Sequence, residues 1–193
     1  MEKDYHFWFE PDHRYEGLEA IFDGYKSALE IFKNKTKEYN WYDADFYREE
    51  TDLIYGVALI SLQNYINKWC VDFLELKLFG YTSAYQFYDR SSKIVNNDIT
   101  QVRLIIELAN YFKHRDDKGN LQNHTSKALE KVNILNTSKT GDERCEDELL
   151  IQGLILLTDN MIDLSVLMSI VKKWYEDILS TAKKERIAEK YNL

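Results

Sequence analysis

Four residues between positions 103 and 114 are of the types that acid–base and phosphate chemistry require. They are Arg103, Glu107, Asn110 and His114. Their spacing of three or four residues would place them on one narrow face of a helix, here called the polar stripe. An imidazole can exchange a proton near neutral pH, and a guanidinium can bind a phosphate. Because Arg103 and His114 would lie about 16 Å apart along the axis, the stripe predicts two separate sites, Asn110 with His114 and Arg103 with Glu107.

The other residues of this segment are apolar over more than half of the helix circumference. They are Val102, Leu104, Ile105, Ile106, Leu108, Ala109, Tyr111 and Phe112. A helix with so wide an apolar arc is mostly buried. The polar stripe is therefore predicted to be the surface on which the helix meets water, a ligand or a partner.

Apolar residues at helical spacing, together with capping residues, predict helices along most of the chain. The predicted helices run from about 15 to 37, from 43 or 45 to 80, from 82 or 83 to about 90, from 97 or 98 through the stripe to 114, from 126 to 135, and from 146 to about 190. They predict an all-α fold, an up-and-down helical bundle of about four long helices with one or two short extra helices. We expect a single domain, 1–193, with an aromatic N-terminal extension of about 1–13.

Charge and cysteine content limit the partners and the compartment. The 193 residues carry a formal net charge of -8, so no global positive field attracts nucleic acid, and any RNA contact would be local. The beginning of the chain does not form a secretion signal, and the apolar stretches are too short to span a bilayer. Two cysteines, Cys70 and Cys145, suit a reduced compartment. We therefore predict a cytoplasmic protein with no membrane contact.

Other polar residues have simpler structural explanations. Glu10 and His13 have the spacing of di-iron helices, but a proline lies between them and no second copy exists, so no metal or other cofactor is predicted. Asp159 and Asp163 are one helical turn apart and could bind a cation, although an acidic face is the commoner role. Cys70 is expected to be a small core residue.

Aromatic residues are concentrated in two segments, near the start of the chain and around position 42. Without interleaved Lys and Arg, these side chains are poor candidates for stacking on bases. Core packing or a homodimer interface is the favoured role. The residues are Tyr5, Phe7, Trp8, Phe9, Tyr39, Trp41, Tyr42, Phe46 and Tyr47.

Residues 108–114, with the sequence LANYFKH, resemble the signature of the HEPN superfamily. The common form is Leu-Arg-Asn-x-x-x-His, which this chain matches at Leu108, Asn110 and His114. The resemblance implies an all-α, commonly dimeric protein that cleaves RNA without a metal ion, often in bacterial toxin or defence systems. It implies Asn110 and His114 as catalytic residues. Some HEPN toxins carry a modified tyrosine two residues after the histidine, but here Asp116 holds that position.

The chain departs from this signature at Ala109, where the family has an arginine that stabilises the phosphate. Three basic residues could supply the missing charge as RNA or phosphate contacts. Lys113 and Arg115 lie beside the motif, and Arg103 could reach it from a partner protomer. Glu107 is predicted to support the site.

Two functions remain open from the sequence. In the first, the protein is a HEPN-like homodimer that cleaves or binds RNA at the polar stripe. In the second, it is a non-catalytic homodimeric module that binds another protein, and Asn110 and His114 hold the fold together. Under that alternative, His114 and Arg115 complement the dipole at the C-terminus of the helix.

Overall fold

The computed structural model describes residues 12–94, 98–117, 121–135, 146–159 and 162–191. This part of the chain forms seven α-helices, a short 3-10 helix and no β-strand, which confirms the all-α prediction. The helices are α1 (His13–Glu38), α2 (Ala44–Glu75), α3 (Ala84–Tyr88), α4 (Gln101–His114), α5 (Asn123–Lys131), α6 (Glu146–Thr158) and α7 (Leu164–Tyr191). Most of the predicted aromatic extension, residues 1–11, lies outside the described residues.

Aspartate caps begin the first two helices. The carboxylates of Asp12 and Asp43 each accept hydrogen bonds from two backbone N–H groups in the first turn of α1 and α2, which satisfies donors that have no partner within the helix. The segment that begins near residue 43 is one continuous helix, but it ends before the predicted stop at Gly80. Lys77 adopts a left-handed conformation, with φ of 53°, and a 3-10 helix, Leu78–Gly80, follows.

The boundaries around the polar stripe differ from those predicted. The capping residue of α4 is Thr100, not Asp98, because the Thr100 hydroxyl accepts a hydrogen bond from the Arg103 backbone N–H. The same hydroxyl donates to the backbone carbonyl of Tyr88 at 2.7 Å, so the cap also joins α4 to α3. The helix α5 begins at Asn123, three residues before the predicted start. This earlier start places Asn123, His124 and Thr125 on α5.

The predicted helix from 146 to about 190 is two helices. Asp159 follows α6 with a left-handed φ of 53°, and Asp163 accepts a hydrogen bond from the Ser165 backbone N–H at 2.7 Å. The second contact is an N-terminal cap of α7. Asp159 follows the end of α6, and Asp163 precedes the start of α7. The two aspartates therefore do not lie on one helical face, although they are four residues apart.

The centre of the molecule is formed by α2 and α4. Both contact α6 and α7, and α2 also contacts α1 and α3.

A glycine permits close packing of two helices at two points. The ring of Phe112 occupies the space that a Cβ at Gly56 would need, and Leu108 does the same at Gly153. Cys70 is in the core, as predicted, and burial raises the pKa of its thiol to about 12.

Among the described residues, no helix combines the length and the apolar character that crossing a membrane requires.

Candidate functional site

Glu107, in the middle of the polar stripe, is fully buried. Its side chain is 0% exposed, whereas the sequence predicted a surface position. Two residues of α5 cover it: the Thr125 hydroxyl donates a 2.8 Å hydrogen bond to Oε2, and His124 Nε2 lies 3.6 Å from the same oxygen. The Asn110 amide donates a longer hydrogen bond of 3.4 Å to Oε2. The carboxylate is therefore the centre of a polar cluster built from α4 and α5.

The second oxygen of Glu107 is incompletely satisfied. Oε1 has no hydrogen-bond partner, and the nearest charged group is Arg103 Nε at 3.9 Å, which also lacks one. A buried carboxylate oxygen without a hydrogen bond is costly, because burial removes the water that would otherwise solvate it. Asp52 Oδ1 and Arg115 Nη1 also lack hydrogen-bond partners, so it is the combination with the partly exposed Arg103 and His124 that makes the Glu107 cluster a candidate site.

Arg103 is held at the edge of this cluster and is partly exposed, at 28%. Its guanidinium lies 4.9 Å from the ring centroid of Tyr85 and 3.6 Å from an Asp89 carboxylate oxygen. The Tyr85 ring also meets the His124 ring edge-on, with centroids 6.2 Å apart. Burial raises the pKa of the Tyr85 phenol, and the charge of Glu107 adds to this effect. A neutral aromatic ring thus contacts both the cation and the imidazole.

Asn110 connects the cluster to α2. Gln63 Nε2 donates a 2.8 Å hydrogen bond to Asn110 Oδ1 and a longer one to the backbone carbonyl of Ile106. With its oxygen bonded to Gln63 and its nitrogen to Glu107, the Asn110 amide is oriented from both sides. The structure therefore groups Asn110 with Glu107, while the sequence grouped it with His114.

The C-terminal end of the stripe has different contacts. His114 Nδ1 lies 2.8 Å from an Asp117 carboxylate oxygen, and the side chain is 42% exposed. Arg115 forms a 2.5 Å ion pair with Asp52 of α2, and this hydrogen bond raises the pKa of Arg115. Lys113 is exposed. Of these predicted residues, His114 and Lys113 face solvent, whereas Arg115 joins two helices.

Position 109, where the HEPN signature has its arginine, lies in the core. Ala109 is fully buried, so this position does not point towards the polar stripe. Arg103 is the basic residue of α4 that lies against the Glu107 cluster, and it does so within one chain. The sequence also grouped Arg103 with Glu107, and the contact that it allowed across a dimer is one between Arg103 and the Asn110–His114 site.

Several residues of the site were not predicted from the sequence. Gln63, Tyr85, His124 and Thr125 come from three other helices, and their sequence neighbourhoods carry no motif that would reveal them. From the sequence, His124 and Thr125 are predicted to lie in an exposed loop between residues 114 and 126, because the residues of that loop are typical of turns. The helical start at Asn123 carries them onto α5 and against Glu107.

Comparisons with protein-family models, with curated proteins and with solved structures found no match to this chain. Among the residues that the structure describes, no three His, Cys, Asp or Glu side chains are grouped to hold a metal ion.

Proposed function

We propose that this chain is a HEPN-like helical protein that binds and cleaves RNA without a metal ion, as part of a bacterial toxin or defence system. One observation carries the proposal. Along one edge of the otherwise buried α4 lie a partly exposed guanidinium, Arg103, an oriented amide, Asn110, and an exposed imidazole, His114. These are the group types that bind a phosphodiester and move its protons.

The chemistry proposed for this edge is attack by a ribose 2′-hydroxyl on the adjacent phosphate. A guanidinium stabilises the charge that develops on the phosphate oxygens, and an imidazole transfers protons. Arg103 takes the place of the signature arginine, because position 109 is buried. Since Arg103 and His114 of one chain are about 16 Å apart along α4, the proposed dimer brings Arg103 of one protomer beside His114 of the other, so that both act on one phosphate, and Lys113 adds charge beside His114.

We also propose a homodimer, which the resemblance implies, in the cytoplasm, which the cysteine content favours. The helix pattern predicts an up-and-down arrangement of about four long helices, to which α1, α2 and α7 would contribute most of the length. An acidic chain with two basic residues at its site, Arg103 and Lys113, would bind RNA with a weak salt dependence, since few phosphates are neutralised.

The test is cleavage of total RNA by the purified protein in the presence of EDTA. We expect the wild type to cleave and His114→Ala and Arg103→Gln to lose activity by about 10- to 100-fold, because each removes a group that contacts the phosphate or its protons. His13→Ala is the matched control, because His13 is an exposed imidazole on α1 that lies 3.9 Å from Glu16. A wild-type protein that does not cleave RNA would refute the proposal.

A second candidate function is protein binding by an exposed aromatic cluster at the turn between α1 and α2. Trp41 is 65% exposed, and its ring contacts those of Tyr39 and Phe46, which are also exposed. Exposed aromatic clusters are typical of interfaces. If two copies pair through this cluster, Trp41→Ser will convert a dimer into a monomer in light-scattering measurements. A wild type that is monomeric at all concentrations would exclude this candidate.

A further inference from the structure

We infer that His124 is the residue that accepts the proton of the attacking 2′-hydroxyl, and that Glu107 is its positioning residue. This inference rests on the proposed RNA cleavage and names a catalytic residue outside the signature motif. The carboxylate of Glu107 is 0% exposed, while the side chain of His124 is 34% exposed. The imidazole therefore lies between a buried charge and the surface, where a substrate can reach it.

The orientation of the His124 ring supports this role. Nε2 faces Glu107 Oε2 at 3.6 Å, and the two nitrogens of an imidazole lie on different edges of the ring. A carboxylate that accepts from Nε2–H leaves Nδ1 as the acceptor, which is the form a general base needs. Contacts of this kind are often long before substrate binds and shorten in the complex.

Glu107 also contacts Arg103, the proposed phosphate-binding group, as well as His124. The two oxygens of this carboxylate face different partners, with His124 on Oε2 and Arg103 on Oε1. The ring of Tyr85 contacts both of these partners. His114 is seven residues beyond Glu107, about 10 Å along the helix axis, so His124 is the imidazole that the cluster places beside Arg103.

The reaction step balances without a metal ion or a redox partner. The 2′-hydroxyl gives its proton to His124 Nδ1 while its oxygen forms a bond to phosphorus. The bond from phosphorus to the 5′-oxygen breaks, and that oxygen takes a proton from water. The hydroxide that remains takes the proton from His124, which restores the base. The products are a 2′,3′-cyclic phosphate and a 5′-hydroxyl. Arg103 stabilises the charge on the phosphate oxygens during the transfer.

The test compares the wild type with His124→Gln, using a short single-stranded RNA as the probe and His13→Gln as the matched control. We expect His124→Gln to slow single-turnover cleavage by about 100-fold or more and to leave RNA affinity almost unchanged. The acid limb of the rate profile against pH, present in the wild type and in His13→Gln, should disappear in His124→Gln. A purely structural histidine would not produce this change.

Glu107→Gln provides the second measurement, and it decides the matter if His124→Gln loses its helical circular dichroism. Loss of the carboxylate should slow single-turnover cleavage by about 10-fold or more and leave RNA affinity almost unchanged, because Glu107 no longer orients the imidazole. Cleavage at the wild-type rate by folded Glu107→Gln overturns the inference. Full activity and an unchanged pH profile in folded His124→Gln also overturn it, while leaving RNA cleavage by this chain intact. A wild type that does not cleave overturns both proposals.

Discussion

Two buried carboxylates in this molecule, Asp72 of α2 and Glu107 of α4, differ in how completely they are paired. Asp72 is 4% exposed, and each of its oxygens meets a cation, Arg14 at 2.6 Å and Lys68 at 3.2 Å. Glu107 is fully buried, but its nearest cations or imidazoles lie at 3.6 and 3.9 Å. One of its oxygens accepts no hydrogen bond.

The difference separates a structural ion pair from a candidate site. Arg14 also lies over the Trp69 ring, 4.5 Å from its centroid, so the Asp72 cluster holds the start of α1 against α2. A complete set of hydrogen bonds makes such a cluster rigid. Around Glu107 the set is incomplete and the partners are partly exposed, which leaves contacts available for a ligand.

A third buried carboxylate, Asp52, should give the largest loss of stability. Removing the cation in Arg115→Met leaves Asp52, which is 9% exposed, as an unpaired charge. We expect the free energy of unfolding to fall by about 3–5 kcal/mol, measured by urea denaturation. Lys113→Met, at an exposed neighbouring position, should change it by less than about 0.5 kcal/mol. A loss below about 1 kcal/mol in Arg115→Met would mean that this pair is not structural.

An intermediate loss is expected for Asp72→Asn. The substitution weakens the hydrogen bonds from Arg14 and Lys68, and we expect about 2 kcal/mol of destabilisation. The effect is smaller than at Asp52 because both cations still reach solvent. Glu75→Gln, an exposed acidic position on the same helix, is the control in the same urea titration. Equal midpoints for the two variants would contradict the assignment of Asp72 as a structural ion pair.

The smallest loss of stability is expected for Glu107→Gln. Glutamine can still accept the hydrogen bond from Thr125, and removing a poorly paired buried charge avoids much of its desolvation cost. We expect a change of less than about 1 kcal/mol in either direction, in the same assay. If Glu107→Gln destabilises the protein as much as Asp72→Asn does, the comparison between the two carboxylates fails.

Much of the helical structure could be predicted from local sequence. Apolar spacing and the cap at Asp43 located α2, and the wide apolar arc of α4 correctly predicted its burial. The break between α6 and α7 was missed, because leucine-rich spacing continues on both sides of it. At the end of α6, Asp159 adopts a left-handed conformation, which hydrophobic periodicity does not encode.

The candidate site was less predictable, because its contacts join residues that are distant in sequence. Helical periodicity correctly aligned Arg103 and Glu107 on α4, which are 3.9 Å apart. It could not show that α5 covers Glu107, or that Gln63 reaches Asn110 from α2. Those contacts depend on tertiary packing, so a polar residue assigned to the surface by periodicity became the most buried member of the site.

The contact between Gly56 and Phe112 also fixes the alignment of α2 with α4. Asp52 of α2 contacts Arg115, and Gln63 of α2 contacts Asn110. The two helices are therefore antiparallel. The close approach at Gly56 lies between these two polar contacts. Deleting one residue between Gly56 and Gln63 would rotate the two ends of α2 relative to each other by about 100°. Either the Asp52–Arg115 ion pair or the Gln63–Asn110 hydrogen bond would then be lost. The number of residues between Gly56 and Gln63 is therefore constrained, although the residues between them form neither contact.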